Sequence, residues 1–153
     1  MATTASNPRV LTVRTVEATD AASVAELCGQ LGYPATTAAI EERIAWLLRC
    51  GDAQVALVAC VDLRVVGWIE AIVERHLQSP PFALITGLVV LDGMRGLGVG
   101  RRLCEEVERW SREKRLSVVR VTSRSTREAA HRFYLRDGYR QVKTSVVFEK
   151  ILS

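Results

Sequence analysis

Apolar and polar positions change period several times along the chain, and each change marks an element. Residues 10–16 alternate, with Val10, Thr12, Arg14 and Val16 against Leu11, Val13 and Thr15, which predicts a strand. Thr19 or Asp20 then offers an N-cap, and Val24, Leu27, Cys28 and Leu31 recur on one helical face up to Gly32-Tyr33-Pro34. Thr36 or Thr37 caps a second helix with Ile40, Ile44, Leu47 and Leu48 on one stripe, ended by Gly51-Asp52. Residues 54–61 and 65–73 are apolar runs around a turn at 61–64, the pattern of a hairpin. Ser79-Pro80-Pro81 is expected to break the chain. Residues 82–91 are nearly all apolar and predict a central strand covered on both faces. Val99, Leu103, Val107 and Trp110 mark an amphipathic helix to about Lys114. A strand over 117–123, a short helix over 127–136 and two closing strands over 139–143 and 145–151 complete the prediction.

The order β-α-α-β-β-β-α-β-α-β-β implies an α+β layer fold around one largely antiparallel sheet. The strand–helix–strand stretch over 82–123 is its one parallel unit. Residues 1–8 are small and polar and are expected to be flexible, leaving a single domain over 9–153. The length of 153 residues suits one domain with a real core. With 48% hydrophobic and 25% charged residues, the composition excludes a disordered or fibrous chain. There is no signal-peptide core in residues 1–8 and no apolar run long enough for a membrane span. Cys28, Cys50, Cys60 and Cys104 lack a metal-ligand rhythm, so no metal is expected. Free thiols in a reducing cytoplasm are the simpler reading.

The net charge of +4 is unevenly distributed. Residues 1–94 hold six Lys/Arg against ten Asp/Glu, whereas residues 95–143 hold fourteen against six. Such a basic block is a solvated face or the seat of an anionic partner.

The densest chemical signal lies where this block begins. In Leu88-Val-Val-Leu-Asp-Gly-Met-Arg-Gly-Leu-Gly-Val-Gly-Arg101, a buried strand turns through glycines at 93, 96, 98 and 100 into a helix. Such a turn exposes successive backbone N–H groups at a positive helix end, which suits a phosphate. A P-loop would need Gly-Lys-Ser/Thr, but Gly100 is followed by Arg101-Arg102. A dinucleotide fingerprint starting at Gly96 would need glycine at Arg101.

Arg95-Gly96-Leu97-Gly98-Val99-Gly100 fits Gln/Arg-x-x-Gly-x-Gly/Ala, and Ala130-His-Arg-Phe-Tyr134-Leu-Arg-Asp-Gly-Tyr139 fits Ala-x-x-Phe-Tyr-x-x-x-Gly-Phe/Tyr. With these motifs and this element order, the chain resembles the GNAT superfamily of N-acetyltransferases. The resemblance implies the GNAT fold, with acetyl-CoA as cosubstrate and splayed central strands. It assigns the CoA pyrophosphate to the backbone of Arg95, Gly96, Leu97, Gly98, Val99 and Gly100, with Arg101 nearby. It assigns the pantetheine arm to Leu88, Val89 and Val90, whose amides would also face the acetyl carbonyl. Tyr134 matches the general acid toward the departing thiolate. Arg127 stands where many members carry an Asn that contacts pantetheine, and whether it reaches a CoA phosphate instead stays open. The general base is assigned to Glu70, with Glu74 and His76 as rivals and direct attack by neutral amine as a further option.

In this fold the acceptor wall would include Glu26, Glu41, Glu42, Tyr33, Trp46, Trp68 and Glu70, an acidic and aromatic set suited to a cationic amine. The expected acceptor is therefore a small-molecule amine. A protein amine acetyltransferase and a non-catalytic acyl-CoA-binding module are the alternatives. Nucleic acid is not expected as a partner, since the basic residues are dispersed and no binding motif accompanies them. No membrane partner is expected, and a homodimer is left open.

Overall fold

The computed structural model describes residues 9–153. The expected flexible segment 1–8 lies outside the described residues. The chain divides into two compact units, residues up to 121 and residues 122–153, and each is described by itself.

The first unit is built on a five-stranded sheet in the order β1-β2-β3-β4-β5. Its strands are β1 (Leu11–Thr15), β2 (Gln54–Val61), β3 (Arg64–His76), β4 (Ser79–Val90) and β5 (Val119–Val121). The first three pairings are antiparallel, and β4 pairs with β5 in parallel. Helices α1 (Ala21–Leu31) and α2 (Thr37–Arg49) precede β2, and α3 (Val99–Glu113) connects β4 to β5. This is the mixed α+β architecture expected from the element order.

The predicted stripes are the faces that pack. Val24 and Leu27 of α1 join Ile40 and Ile44 of α2 over Val58, Cys60, Val65 and Val89 of the sheet. Val99, Leu103 and Val107 of α3 are also buried. A Cβ at Gly67 of β3 would lie 3.3 Å from Val99 and 3.4 Å from Leu103. Thr36 caps α2 by accepting from the Ala39 N–H at 3.1 Å. Gly32 ends α1 at φ +97°, in the left-handed conformation that glycine adopts freely. All four cysteines are free thiols; Cys60 and Cys104 are buried, Cys28 is half-buried and Cys50 is exposed.

Two expectations are corrected. Ser79-Pro80-Pro81 does not break the chain but opens β4, with Ser79 opposite His76. Phe82 sits opposite Glu74, so Pro80 and Pro81 together face only Arg75. A bulge of this kind tolerates prolines because its missing N–H groups leave no gap in a regular ladder. The closing strands predicted over 139–143 and 145–151 form no ladder in the second unit. Alternation specifies which residues share a face but does not supply a neighbouring strand.

Behind β1, Arg14 donates two hydrogen bonds of 2.8 Å to the buried Asp20, which also accepts from the Glu17 N–H at 2.8 Å. The Arg14 hydrogen bonds hold the Asp20 carboxyl below the usual carboxylate range, and the Glu17 N–H adds to this against the opposing effect of burial. Asp20→Asn should lower the unfolding free energy by about 2 kcal/mol at neutral pH. The carboxyl titrates lower in the folded chain than in the unfolded one. Its contribution is therefore full above the unfolded value of about 4 and fades as pH falls through the folded value. Urea melts of the two proteins should converge on acidification, and a gap independent of pH would contradict the pairing.

Candidate functional site

The site grows from the end of β4. This strand pairs with β3 from Ser79 to Val90, but β5 covers only Ala83, Leu84 and Ile85. Beyond Ile85 the outer edge of β4 has no strand beside it among the described residues. The divergence coincides with a bulge: Ala71 faces Ile85 and Glu70 faces Gly87, so Thr86 is the extra residue. Trp68 of β3 packs its ring against the backbone there. A Cβ on Gly87 would lie 2.6 Å from Cη2 and 2.7 Å from Cζ3 of that indole. Leu88 and Val90, just past the bulge, are half-buried, and Val89 belongs to the core.

The chain then enters the glycine turn. The Leu91 N–H donates to the Val66 carbonyl at 2.7 Å, and the Met94 N–H to the Leu91 carbonyl at 3.0 Å. From α1, the Gln30 amide donates to the Val90 carbonyl at 2.7 Å and accepts from the Asp92 N–H at 2.8 Å. One side chain thus holds both sides of the strand-to-loop junction. Gly96 and Gly98 have φ of +80° and +79°, and Gly98 is the N-cap of α3. A glycine cap has no side-chain oxygen to offer. No cap side chain therefore competes for the first amides of α3, at the positive end of the helix. Met94, Leu97 and Val99 border a hollow of about 210 Å³ together with Arg9, Leu11 and Val61.

The arginines around the turn are less available than their number suggests. Arg95 pairs with Asp92 at 3.2 Å, Arg101 with Glu105 at 3.2 Å, and Arg102 with Glu106 at 2.8 Å. The buried Glu106 also pairs with Arg109, and Arg112 pairs with Glu108 at 3.5 Å. Much of the basic block is thus a helix surface laced with ion pairs one turn apart. Any anion held at this turn must rely first on the backbone amides. Arg95 and Arg101, whose side chains are 64% and 72% exposed, could be drawn from weak surface pairs.

Glu70 lies on β3 directly opposite Gly87, beside the bulge. It accepts from the Gln54 amide at 2.7 Å, and Thr86 Oγ1 donates to its backbone carbonyl at 3.4 Å. Burial pushes the Cys28 thiol upward, Arg43 opposes that shift and Glu70 adds to it. The other two candidate bases meet each other: Glu74 pairs with His76 at 2.8 Å, and the His76 ring stacks on Phe82 at 5.7 Å. Of the expected acceptor wall, Glu26, Tyr33, Glu41, Glu42 and Trp46 are exposed, and Trp68 is half-buried. The Trp68 indole N–H is buried with no hydrogen-bond partner among the described residues. Trp46 and Arg43 border a shallow hollow of about 480 Å³ on α2 with Glu42, Ala45 and Arg49.

The second unit carries α4 (Glu128–Arg136) with Arg127 as its N-cap residue. Arg127 is exposed. The half-buried Tyr134 ring meets Phe133 and Tyr139 edge-on, at centroid distances of 5.3 and 5.6 Å. The Tyr139 N–H closes the helix by donating to the Tyr134 carbonyl at 2.9 Å. The motif spacing between these tyrosines is therefore a packing unit. Ser123 Oγ is buried with no hydrogen-bond partner among the described residues. His131 Nε2 lies 3.0 Å from the Arg124 carbonyl, as befits a structural histidine.

The first unit thus brings together Glu70, Leu88, Val89, Val90 and the Arg95–Arg101 turn, whereas Tyr134 and Arg127 belong to the second. Gln30, Trp68 and Gly87 gain positioning roles that their sequence positions did not announce. A glycine inside an otherwise apolar strand was the one available signal, for Gly87.

Residues 22–139 match the Acetyltransferase (GNAT) family, and the chain belongs to that family. An aminoalkylphosphonate N-acetyltransferase from Salmonella typhimurium is 37% identical over 78 residues, covering 50% of this chain and 51% of that protein. The match therefore spans about half the length of this curated relative. Among solved structures, an aminoglycoside N-acetyltransferase in complex with CoA superposes with a TM-score of 0.85 at 17% identity. That superposition covers 95% of this chain and 97% of that one. An acetyltransferase from Trypanosoma brucei superposes with a TM-score of 0.76 at 25% identity, over 92% and 100% of the two chains.

Two substitutions test the backbone geometry of the site. Gly98→Ala should lose about 1–2 kcal/mol of stability, because a Cβ disfavours the left-handed conformation. Gly87→Ala should lose about 1–3 kcal/mol by overpacking against Trp68. Denaturant melts read both, and an unchanged midpoint for Gly87→Ala would remove Trp68 as the support of the bulge.

Proposed function

We propose that this chain is an acetyl-CoA-dependent N-acetyltransferase that acylates a primary amine of a small molecule in a ternary complex. The observation that carries this reading is the continuous run of backbone from the β4 bulge to the start of α3. An edge without a strand partner beyond Ile85 suits an extended pantetheine arm, which can hydrogen-bond along it as a further strand does. The glycine turn and the first amides of α3 suit the pyrophosphate. Leu88, Val89 and Val90 lie between the two, where backbone N–H groups can stabilise charge developing on the acetyl carbonyl oxygen.

In this reading Glu70 accepts the proton released by the attacking amine, directly or through water, and Gln54 holds its carboxylate in place. Tyr134 gives a proton to the leaving thiolate. A phenol with an ordinary pKa of about 10 is close enough to an alkyl thiol for that transfer. Arg127 supplies a charge for a CoA phosphate in place of the family's usual Asn. The curated relative and the CoA-bound structural neighbour are both named for acetylating small molecules that carry amines, which supports the same acceptor class here. Glu41, Glu42 and Trp46 are open to solvent and suit a cationic substrate face.

Thiol release from acetyl-CoA, measured over a panel of aminoalkylphosphonates, aminoglycosides, polyamines and lysine peptides, tests the proposal. At least one small amine should turn over and peptides should not. Binding of acetyl-CoA without turnover of any amine would instead identify a non-catalytic acyl-CoA-binding module. Tyr134→Phe should lower kcat at least about tenfold, and Glu70→Gln should lower kcat/KM by about 10²-fold at neutral pH, with part of the loss recovered at high pH. Undiminished turnover in either variant across the pH range would remove that residue from the mechanism.

A further inference from the structure

The indole of Trp68 lies across the neighbouring strand. Trp68 stands opposite Val89 in the register, yet the benzo edge of its ring meets Gly87. A Cβ there would lie 2.6 Å from Cη2 and 2.7 Å from Cζ3. A glycine within a strand marks a place where another group approaches the backbone this closely. The ring also packs against the core cluster that holds Ile40, Ile44 and Val89, which restricts its freedom to swing aside. Trp68 and Glu70 are two residues apart on β3 and share one of its faces.

The open edge of β4 is short at this end. β5 covers Ala83, Leu84 and Ile85, with Val121 beside Ile85, and the edge lacks a strand only beyond that point. In the acyl-CoA reading proposed above, the pyrophosphate sits at the glycine turn and the pantetheine arm runs back along Val90, Val89 and Leu88. The thioester then falls at the bulge, and its acyl chain continues toward Gly87 and Ile85. In that direction it meets the indole over Gly87 and the end of β5 at Val121.

We infer that Trp68 sets the length of the acyl group, admitting acetyl and excluding butyryl and longer chains. The inference rests on the acyl-CoA reading and adds to it the residue that selects the donor. A ring wedged between a core and a strand backbone does not yield to extra methylenes without displacing its neighbours. A methylene that fits or fails to fit a pocket is worth about ten- to two-hundred-fold in discrimination. Gly87 is the necessary counterpart, because any side chain there would occupy the place of the indole.

Calorimetric titration of the full chain with CoA, acetyl-CoA and butyryl-CoA tests this without reference to the acceptor amine. The wild type should bind acetyl-CoA at least about tenfold more tightly than butyryl-CoA. In Trp68→Ala that ratio should fall by at least about tenfold, and in Trp68→Phe, whose ring is smaller, by a lesser factor. The readout is the ratio within each protein, so a general loss of fold or of CoA affinity does not imitate the effect. If Trp68→Ala binds no CoA, the wild type and Trp68→Phe decide. Equal affinity of the wild type for the two thioesters, or a ratio unchanged in every variant that binds CoA, would overturn the inference alone. A wild type that binds neither CoA nor acetyl-CoA would instead refute the acyl-CoA reading, and the inference with it.

Discussion

The divergence of β4 from β5 after only three paired residues is the constraint on which the candidate site depends. A parallel pair that continued past Ile85 would satisfy the outer edge of β4 and leave no backbone to bind anything. The bulge at Thr86 coincides with that divergence, and Trp68 holds it by lying against Gly87, where a side chain would collide. Stability and function meet at one contact: the indole that completes the core above β3 also supports the distorted backbone next to Glu70.

The same economy recurs at the next turn. Gln30 accepts from one side of the strand-to-loop junction and donates to the other, tying the glycine turn to α1. The turn itself is made of glycines at positive φ, which avoid the strain another residue would store there. A turn fixed in this way suits pre-organised anion binding, because donors already in place need not be reordered on binding. The arginines add little rigidity, since each is already shared with a carboxylate on the same surface.

Charge along the chain has an unexpected division of labour. The fourteen Lys/Arg of residues 95–143 invite reading as one anion-binding surface, yet those of α3 are largely paired with Glu105, Glu106 and Glu108 one turn away. Ion pairs at that spacing stabilise the helix surface by a few tenths of a kcal/mol each. The start of α3 is therefore less cationic than its count of arginines suggests.

Much of this was legible in one dimension. The α1, α2 and α3 stripes, a cap at Thr36 or Thr37, the 54–73 hairpin and the glycine turn all follow from local periodicity and local conformational preference, and the motif around Arg95–Gly100 located the candidate site. What failed locally was decided by neighbours. Pro80 and Pro81 looked like a break because proline cannot donate, but opposite Arg75 the bulge asks for no regular donor. The 139–151 alternation looked like two strands because its side chains have the right period, but a ladder needs a second backbone. The partners of Glu70 and Glu74 were not legible either: the sheet pairs Glu74 with His76 and sets Glu70 beside the bulge, within reach of Gln54. The sequence by itself determined the elements, the apolar faces and the turn that presents amides. Only the tertiary structure decided the registers, the bulges and the partners of each charged group, because these depend on contacts between residues far apart in the chain.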